Sequence, residues 1–237
     1  MFFDPLYLIF LIPGSLLAMW AQYRVKTTFN QFSQIGTQRG WSGAQIAQAI
    51  LDVHGIQDVQ IEPTQGFLSD HYDPRDKALR LSPDVYSGRS VSAAGVAAHE
   101  VGHAIQHAEG YAFLQMRSSL VPVLSVTTRV SMPAIMGGFV LMSMGQAFFG
   151  QVVFLVGVVA FSFMVLFQLI TLPVEFDASR RALVAIERGG LVTATELAGA
   201  RKVLNAAALT YVAAAITAVM QLLYFLIRSG LLGGRRD

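Results

Sequence analysis

Four long apolar stretches leave this chain little choice of solvent. They cover Phe2 to Trp20, Ser131 to Phe149, Val152 to Leu172 and Ala206 to Ile227. Each is about 18–22 residues, near the length a helix needs to cross the hydrocarbon layer of a bilayer. One such stretch fits a buried core helix. Four in 237 residues, with only 14% charged residues to cover a water-soluble surface, do not. The expected fold class is a mostly α integral membrane protein: about four transmembrane helices and a small α+β domain.

The first stretch lacks a basic leading segment and a small-x-small cleavage site, so it reads as a retained anchor. The link Gly145 to Gly150 is short and uncharged, so the second and third stretches read as a helical hairpin. Arg129, just before the second stretch, reads as an interfacial charge. The chain divides into an anchor (1–22), a polar domain (23–118), a transmembrane hairpin (119–172), a polar helical segment (173–205) and a last transmembrane helix with a basic tail (206–237). Four crossings put both polar regions on one face. That face holds Arg24, Lys26, Arg117, Arg180, Arg181, Arg188, Arg201 and Lys202 near span ends, against Arg228, Arg235 and Arg236 opposite. Positive charge collects on the cytoplasmic side, so the polar regions are expected there. A net charge of only +2, with scattered basic residues, gives nucleic-acid binding no support. The absence of cysteine excludes disulfides, thiolate nucleophiles and Cys-bound zinc.

Within the larger polar region, Ser42 is placed to cap a helix running to about His54, with Ile46, Ile50 and Leu51 on one face and Gly55 as its stop. Asp73-Pro74-Arg75-Asp76 predicts a turn joining strands Leu68–Tyr72 and Ala78–Leu81. The strand around Leu81 is expected to offer an edge to an extended peptide. A second helix is predicted from Ser92 to Glu109, stopped by Gly110. Thr193 with Glu196 makes a capping box for a helix entering the fourth span.

The second of these helices carries the chemistry. His99-Glu100-Val101-Gly102-His103 is an H-E-x-x-H pattern. Residues four apart stand one above the other on a helix face, so both imidazoles can reach one Zn²⁺ at about 2.0–2.1 Å. Glu100 lies beside them, placed to take a proton from a water and pass it to a leaving amine. The small residues Ala97, Ala98, Gly102 and Ala104 let another backbone or a metal approach closely. Such a zinc needs a third protein ligand and an open fourth position. His107 continues the same face but lies two turns from His99, and reads as a supporting residue or a solvated helix end. Glu109 stands where metzincins carry a later ligand, but their bending glycine is replaced by Gln106. Glu175, emerging after Pro173 on the same membrane face, is the favoured third ligand, because the site lacks an oxygen ligand and few acids are available. Asp177 is a candidate acceptor for a ligand histidine's N–H. His71, Arg180 and Arg181 are candidates to stabilise an oxyanion.

The segments GFLSDHYDPRDKALRLS (Gly66–Ser82), GVAAHEVGHAIQHAEGY (Gly95–Tyr111), LPVEFDASRRAL (Leu172–Leu183) and AGARKVLNAAA (Ala198–Ala208) resemble the YugP-type neutral zinc metallopeptidases of bacterial membranes. The resemblance covers nearly the whole chain. It implies a multi-pass protein of the inner, cytoplasmic membrane with a gluzincin-like site and one Zn²⁺ per chain. Its H-E-x-x-H falls on His99, Glu100 and His103, and its downstream acid on Glu175. The chain is more loosely similar to the HtpX and CAAX-prenyl endopeptidases, whose E-x-x-A-D segment fits at Glu175 and Ala178 but meets Ser179 in place of Asp.

The leading expectation is an endopeptidase acting on membrane-associated or misfolded proteins near the cytoplasmic surface, its partners being the lipid bilayer and a protein or peptide substrate. A homo-oligomer or a membrane partner protein is left open. A scaffold with a structural or vestigial zinc would instead close the fourth position with His107 or Asp177. A transporter is disfavoured, because the four spans hold no histidine and a single acid, Asp4, which stands at the outer end of the first and not along its length.

Overall fold

The computed structural model describes residues 4–232. Phe2, which opens the first apolar stretch, and Arg235 and Arg236 of the basic tail lie outside the described residues. The elements run α1 (Pro5–Ser33), α2 (Gly43–Val53), β1 (Gln60–Pro63), β2 (His71–Asp73), β3 (Ala78–Leu81), α3 (Pro83–Tyr86), α4 (Val91–Ala108), α5 (Ala112–Ser143), α6 (Ala147–Arg188) and α7 (Ala194–Arg228). Helices α1, α5, α6 and α7 are each long and apolar enough to cross a bilayer. The chain is thus a mostly α membrane protein with a small α+β domain. It divides into two compact units: Met1–Trp20, Met116–Leu172 and Tyr211–Asp237 form one, and Ala21–Gln115 with Pro173–Thr210 the other.

In the first unit, Tyr7, Ile135, Phe154, Phe161, Tyr224 and Phe225 make an aromatic-rich core. Much of the remaining apolar surface faces outward, including Ile9, Leu16, Val126, Phe148, Val156 and Val159. So much exposed aliphatic surface would aggregate in water but suits lipid. At one end of this unit Tyr224 donates its hydroxyl to Asp4 at 3.0 Å. The hairpin tip falls at Met144–Gln146, earlier than the sequence pattern placed it. Ala147–Phe149 therefore open α6 instead of closing the second span. Hydropathy alone cannot register a turn between two apolar runs, and Gly145 adopts the positive φ of 84° that the turn requires.

The second unit begins from its caps. Ser42 accepts from the Gln45 amide while the Gln45 side chain accepts from the Ser42 amide, a full capping box for α2. Buried Ile46, Ile50 and Leu51 face the core, and the chain leaves the helix through Gly55 at φ 67°. Thr193 and Glu196 close the corresponding box at α7, at 2.8 and 3.3 Å. α4 follows its cap at Ser90 and stops at Gly110. Fourteen of its residues are buried, including polar Glu100, His103 and Gln106, so this helix runs through the core. A charged residue there must be paired or neutralised.

The sheet departs from the sequence reading. Its order is β1-β3-β2, with β1 parallel and β2 antiparallel to β3. β3 is central, so the strand around Leu81 has no free edge for a peptide; the outer strands are β1 and β2. The hairpin from β2 to β3 is present, but β2 starts only at His71 and includes Asp73. Leu68 sits at φ 53°, which no strand residue adopts, and so the predicted strand could not begin there. β1 falls within the stretch from Val59 to Leu81 whose pattern reads as short strands, with both of its ends exposed.

Candidate metal centre

Two helices of the second unit build the site. α4 supplies His99 and His103, one turn apart, and α6 supplies Glu175. Their backbones come close because Gly102 faces α6: a Cβ there would stand 2.5 Å from the Ala178 carbonyl oxygen. Gly102 thus admits another backbone. Ligand atoms of His99, His103 and Glu175 all lie within 4.8 Å of one another. Glu175 Oε2 is 3.2 Å from His99 Nε2 and 3.6 Å from His103 Nε2. Atoms bound tetrahedrally to one zinc at about 2.0–2.1 Å stand about 3.3 Å apart. The two imidazoles meet edge to face, with centroids 4.9 Å apart and planes at 81°, and each has its Nε2 as the atom near the carboxylate.

The residues behind the rings decide which nitrogen is free. Gln106, fully buried, donates its amide N–H₂ to the Val174 carbonyl at 2.8 Å and to Asp177 Oδ2 at 2.9 Å. Both partners are acceptors, so the orientation of the amide is determined. Its oxygen then faces His103 Nδ1 at 3.0 Å, and that nitrogen must carry the proton. His103 Nε2 is left with a lone pair aimed at a carboxylate oxygen. Two acceptors facing each other at 3.6 Å in a buried site repel unless a cation or proton lies between them. A divalent metal satisfies both, and a His₂Glu set is chemistry that zinc favours. His99 Nδ1 has its own partner, Ser179 Oγ at 3.1 Å.

Glu100 is not among the three ligands but lies close enough to His99 and Glu175 to feel their charge. Its carboxyl is buried, and the Tyr72 backbone N–H of β2 donates to it. Burial, opposed by the neighbouring His99 and reinforced by negative charge on Glu175 and Asp70, pushes its pKa up to about 7. A carboxyl held there exchanges protons near neutrality, as a general acid or base must.

The other candidates fall outside the cluster. Asp177 reaches the ligand histidine only through Gln106, and its oxygens also hold Arg180 and Arg181. Arg181 bonds Glu109 as well, which removes that acid from the metal group. Neither arginine is directed at the His–Glu cluster. His107 Nδ1 is bonded to the Tyr72 hydroxyl at 2.8 Å. His71 is exposed and donates to the Ser69 carbonyl at 2.8 Å. Sequence reasoning passed over Gln106 and Ser179 as functional residues and met them only as departures from other families' patterns. The spacing held a signal: Gln106 follows His103 by three, and Ser179 follows Glu175 by four, each one turn along its helix. Gln106→Leu is expected to lower zinc affinity by about 10–100-fold, as loss of a ligand's supporting partner does. Competition against a chelating indicator measures it, and unchanged affinity would strip Gln106 of this role.

The comparisons with known proteins point the same way. The profile of a family described as "Putative neutral zinc metallopeptidase" matches residues 7–230. The chain is similar to the "Putative membrane protease YugP" of Bacillus subtilis (strain 168), with 46% identity over 211 residues, 89% of this chain and 91% of that protein. No solved structure matches it. A family profile running almost end to end, over a chain whose His99, His103 and Glu175 could hold the metal that the family's description names, makes this protein a member of the neutral zinc metallopeptidase family.

Proposed function

We propose that the protein is a zinc-dependent endopeptidase that cleaves membrane-associated or misfolded protein chains beside the cytoplasmic surface of the bacterial inner membrane. The observation that carries this reading is the convergence of ligand atoms of His99, His103 and Glu175, the carboxylate 3.2 and 3.6 Å from the two imidazole nitrogens, with Glu100 on the same helical turn. Zinc, when bound, polarises a scissile carbonyl and makes a water a nucleophile at neutral pH. His99 and His103 present Nε2 lone pairs, their other nitrogens held by Ser179 and Gln106. Glu175 supplies the negative charge. Glu100 takes the proton of the attacking water and returns it to the departing amine.

His107 and Asp177 are the groups a closed structural zinc site would use. Their engagement by Tyr72, and by Gln106 with the two arginines, favours an open position for substrate. The cytoplasmic placement rests on the basic residues flanking the spans. Chelation of the purified protein is expected to stop cleavage of an unfolded membrane-protein reporter, and stoichiometric Zn²⁺ to restore it. Cleavage that survives verified metal removal would overturn the reading.

A further inference from the structure

Helices α1 and α7 run antiparallel in the second unit, with Gly199 against Phe32 and the Lys202 ammonium 5.9 Å from the Phe32 ring centre. Between them lies a pocket of about 310 Å³ whose polar lining is Arg24, Thr27, Thr28, Gln31, Lys202 and Asn205. Two cations, two hydroxyls and two amides line it, and no acid does. Its depth relative to a bilayer follows from both helices. On α1, exposed Trp20 and Tyr23 end the apolar run, and Arg24 comes next. Aromatic rings of this kind sit at headgroup level. On α7 the apolar run begins at Ala206, immediately after Lys202 and Asn205. The pocket therefore opens where both helices pass from hydrocarbon to water. Arg24 stands at the apolar end with Leu209, and Lys202 lies about two turns farther toward the water, a span of roughly 11 Å at 1.5 Å per residue. That is headgroup scale.

We propose that this pocket binds the headgroup of an anionic phospholipid, the phosphate meeting Arg24 and Thr28, and the outer polar part of the headgroup meeting Gln31, Lys202 and Asn205. The site is separate from the His–Glu cluster and does not depend on the peptidase reading. Charge complementarity selects an anionic over a zwitterionic lipid, and the aliphatic Ala206 and Leu209 suit the start of the acyl chains.

The test uses the full chain in mild detergent, with phosphatidylglycerol or phosphatidylcholine added and the bound lipid counted by intact-complex mass spectrometry. Wild type is expected to retain phosphatidylglycerol at least about tenfold more strongly than phosphatidylcholine, the scale of two charge-assisted contacts. The Arg24→Gln/Lys202→Gln variant is expected to lose that preference. Arg75→Gln/Arg89→Gln, which removes equal charge from exposed positions away from the pocket, keeps it. Equal retention of both lipids by wild type, or an unchanged preference in the pocket variant, overturns the proposal. So does equal loss in the control variant, which would mean net charge alone acts. Inorganic phosphate or glycerol phosphate displacing the lipid at matched concentration overturns it in favour of a soluble anion. Should the pocket variant misfold, the wild-type lipid ratio and the soluble-anion competition decide alone.

Discussion

Glu100→Gln is expected to lower peptide-bond hydrolysis by about 10²–10⁴-fold, the range a positioned general base contributes, while zinc content stays at that of wild type. The amide has the size of the carboxyl, can still accept from the Tyr72 N–H, and is not among the three ligand groups. What it lacks is a site for the water's proton. A second readout isolates the residue without the metal. With zinc chelated, the folded-state pKa of Glu100 is about 7 against an ordinary 4.5. The native state then holds the proton more tightly than the unfolded chain, so wild-type stability falls as pH rises from 4.5 to 7 and stays lowered above that. A shift of this size corresponds to roughly 3 kcal/mol. The glutamine variant does not carry this cost. Its melting temperature should exceed that of the chelated wild type by more at pH 8 than at pH 4. Wild-type cleavage by the variant would end the general-base assignment, and parallel melting profiles would end the buried-proton account.

Glu175→Ala is the second large effect. The carboxylate is 2% exposed and its oxygen stands 3.2 and 3.6 Å from the two imidazole nitrogens. It is the one anionic member of the cluster. Removing it leaves two neutral rings and an alanine methyl, too few ligands to hold a divalent cation in a buried site. Zinc affinity is expected to fall by more than the roughly 100-fold that a lost supporting residue can cost, and cleavage to fall with it. Elemental analysis after gel filtration and a titration against a chelating indicator measure the loss. Full zinc occupancy at wild-type affinity would remove Glu175 from the centre. The two variants separate the roles: Glu100→Gln keeps the metal and loses hydrolysis, whereas Glu175→Ala loses both.

Reading these residues from sequence succeeded where the physics is local. His99 and His103 are four apart, and helical geometry alone puts them on one face. Ser42 with Gln45, and Thr193 with Glu196, are caps written within four residues, and both form. Glu175 lies 76 positions from His99. Its pairing was suggested by the need for an oxygen ligand and by resemblance, with Glu109 and His107 as rivals. The rivals fell to contacts no spacing rule contains: Arg181 claims Glu109, and Tyr72 claims His107. Asp177 was placed one bond too close to the histidine, because the intervening Gln106 comes from α4 while Asp177 comes from α6.

Periodicity and hydropathy, properties of consecutive residues, settled the membrane helices, the H-E-x-x-H turn and the helix caps. Which ring nitrogen is free, which strand lies in the middle of the sheet and which acid stands against the imidazoles depend on separate segments meeting in space. Gly102 against Ala178 brings α4 and α6 together, and the Gln106 amide between Val174 and Asp177 then orients His103. Those contacts are short-range in space and long-range along the chain, and only packing brings them into being.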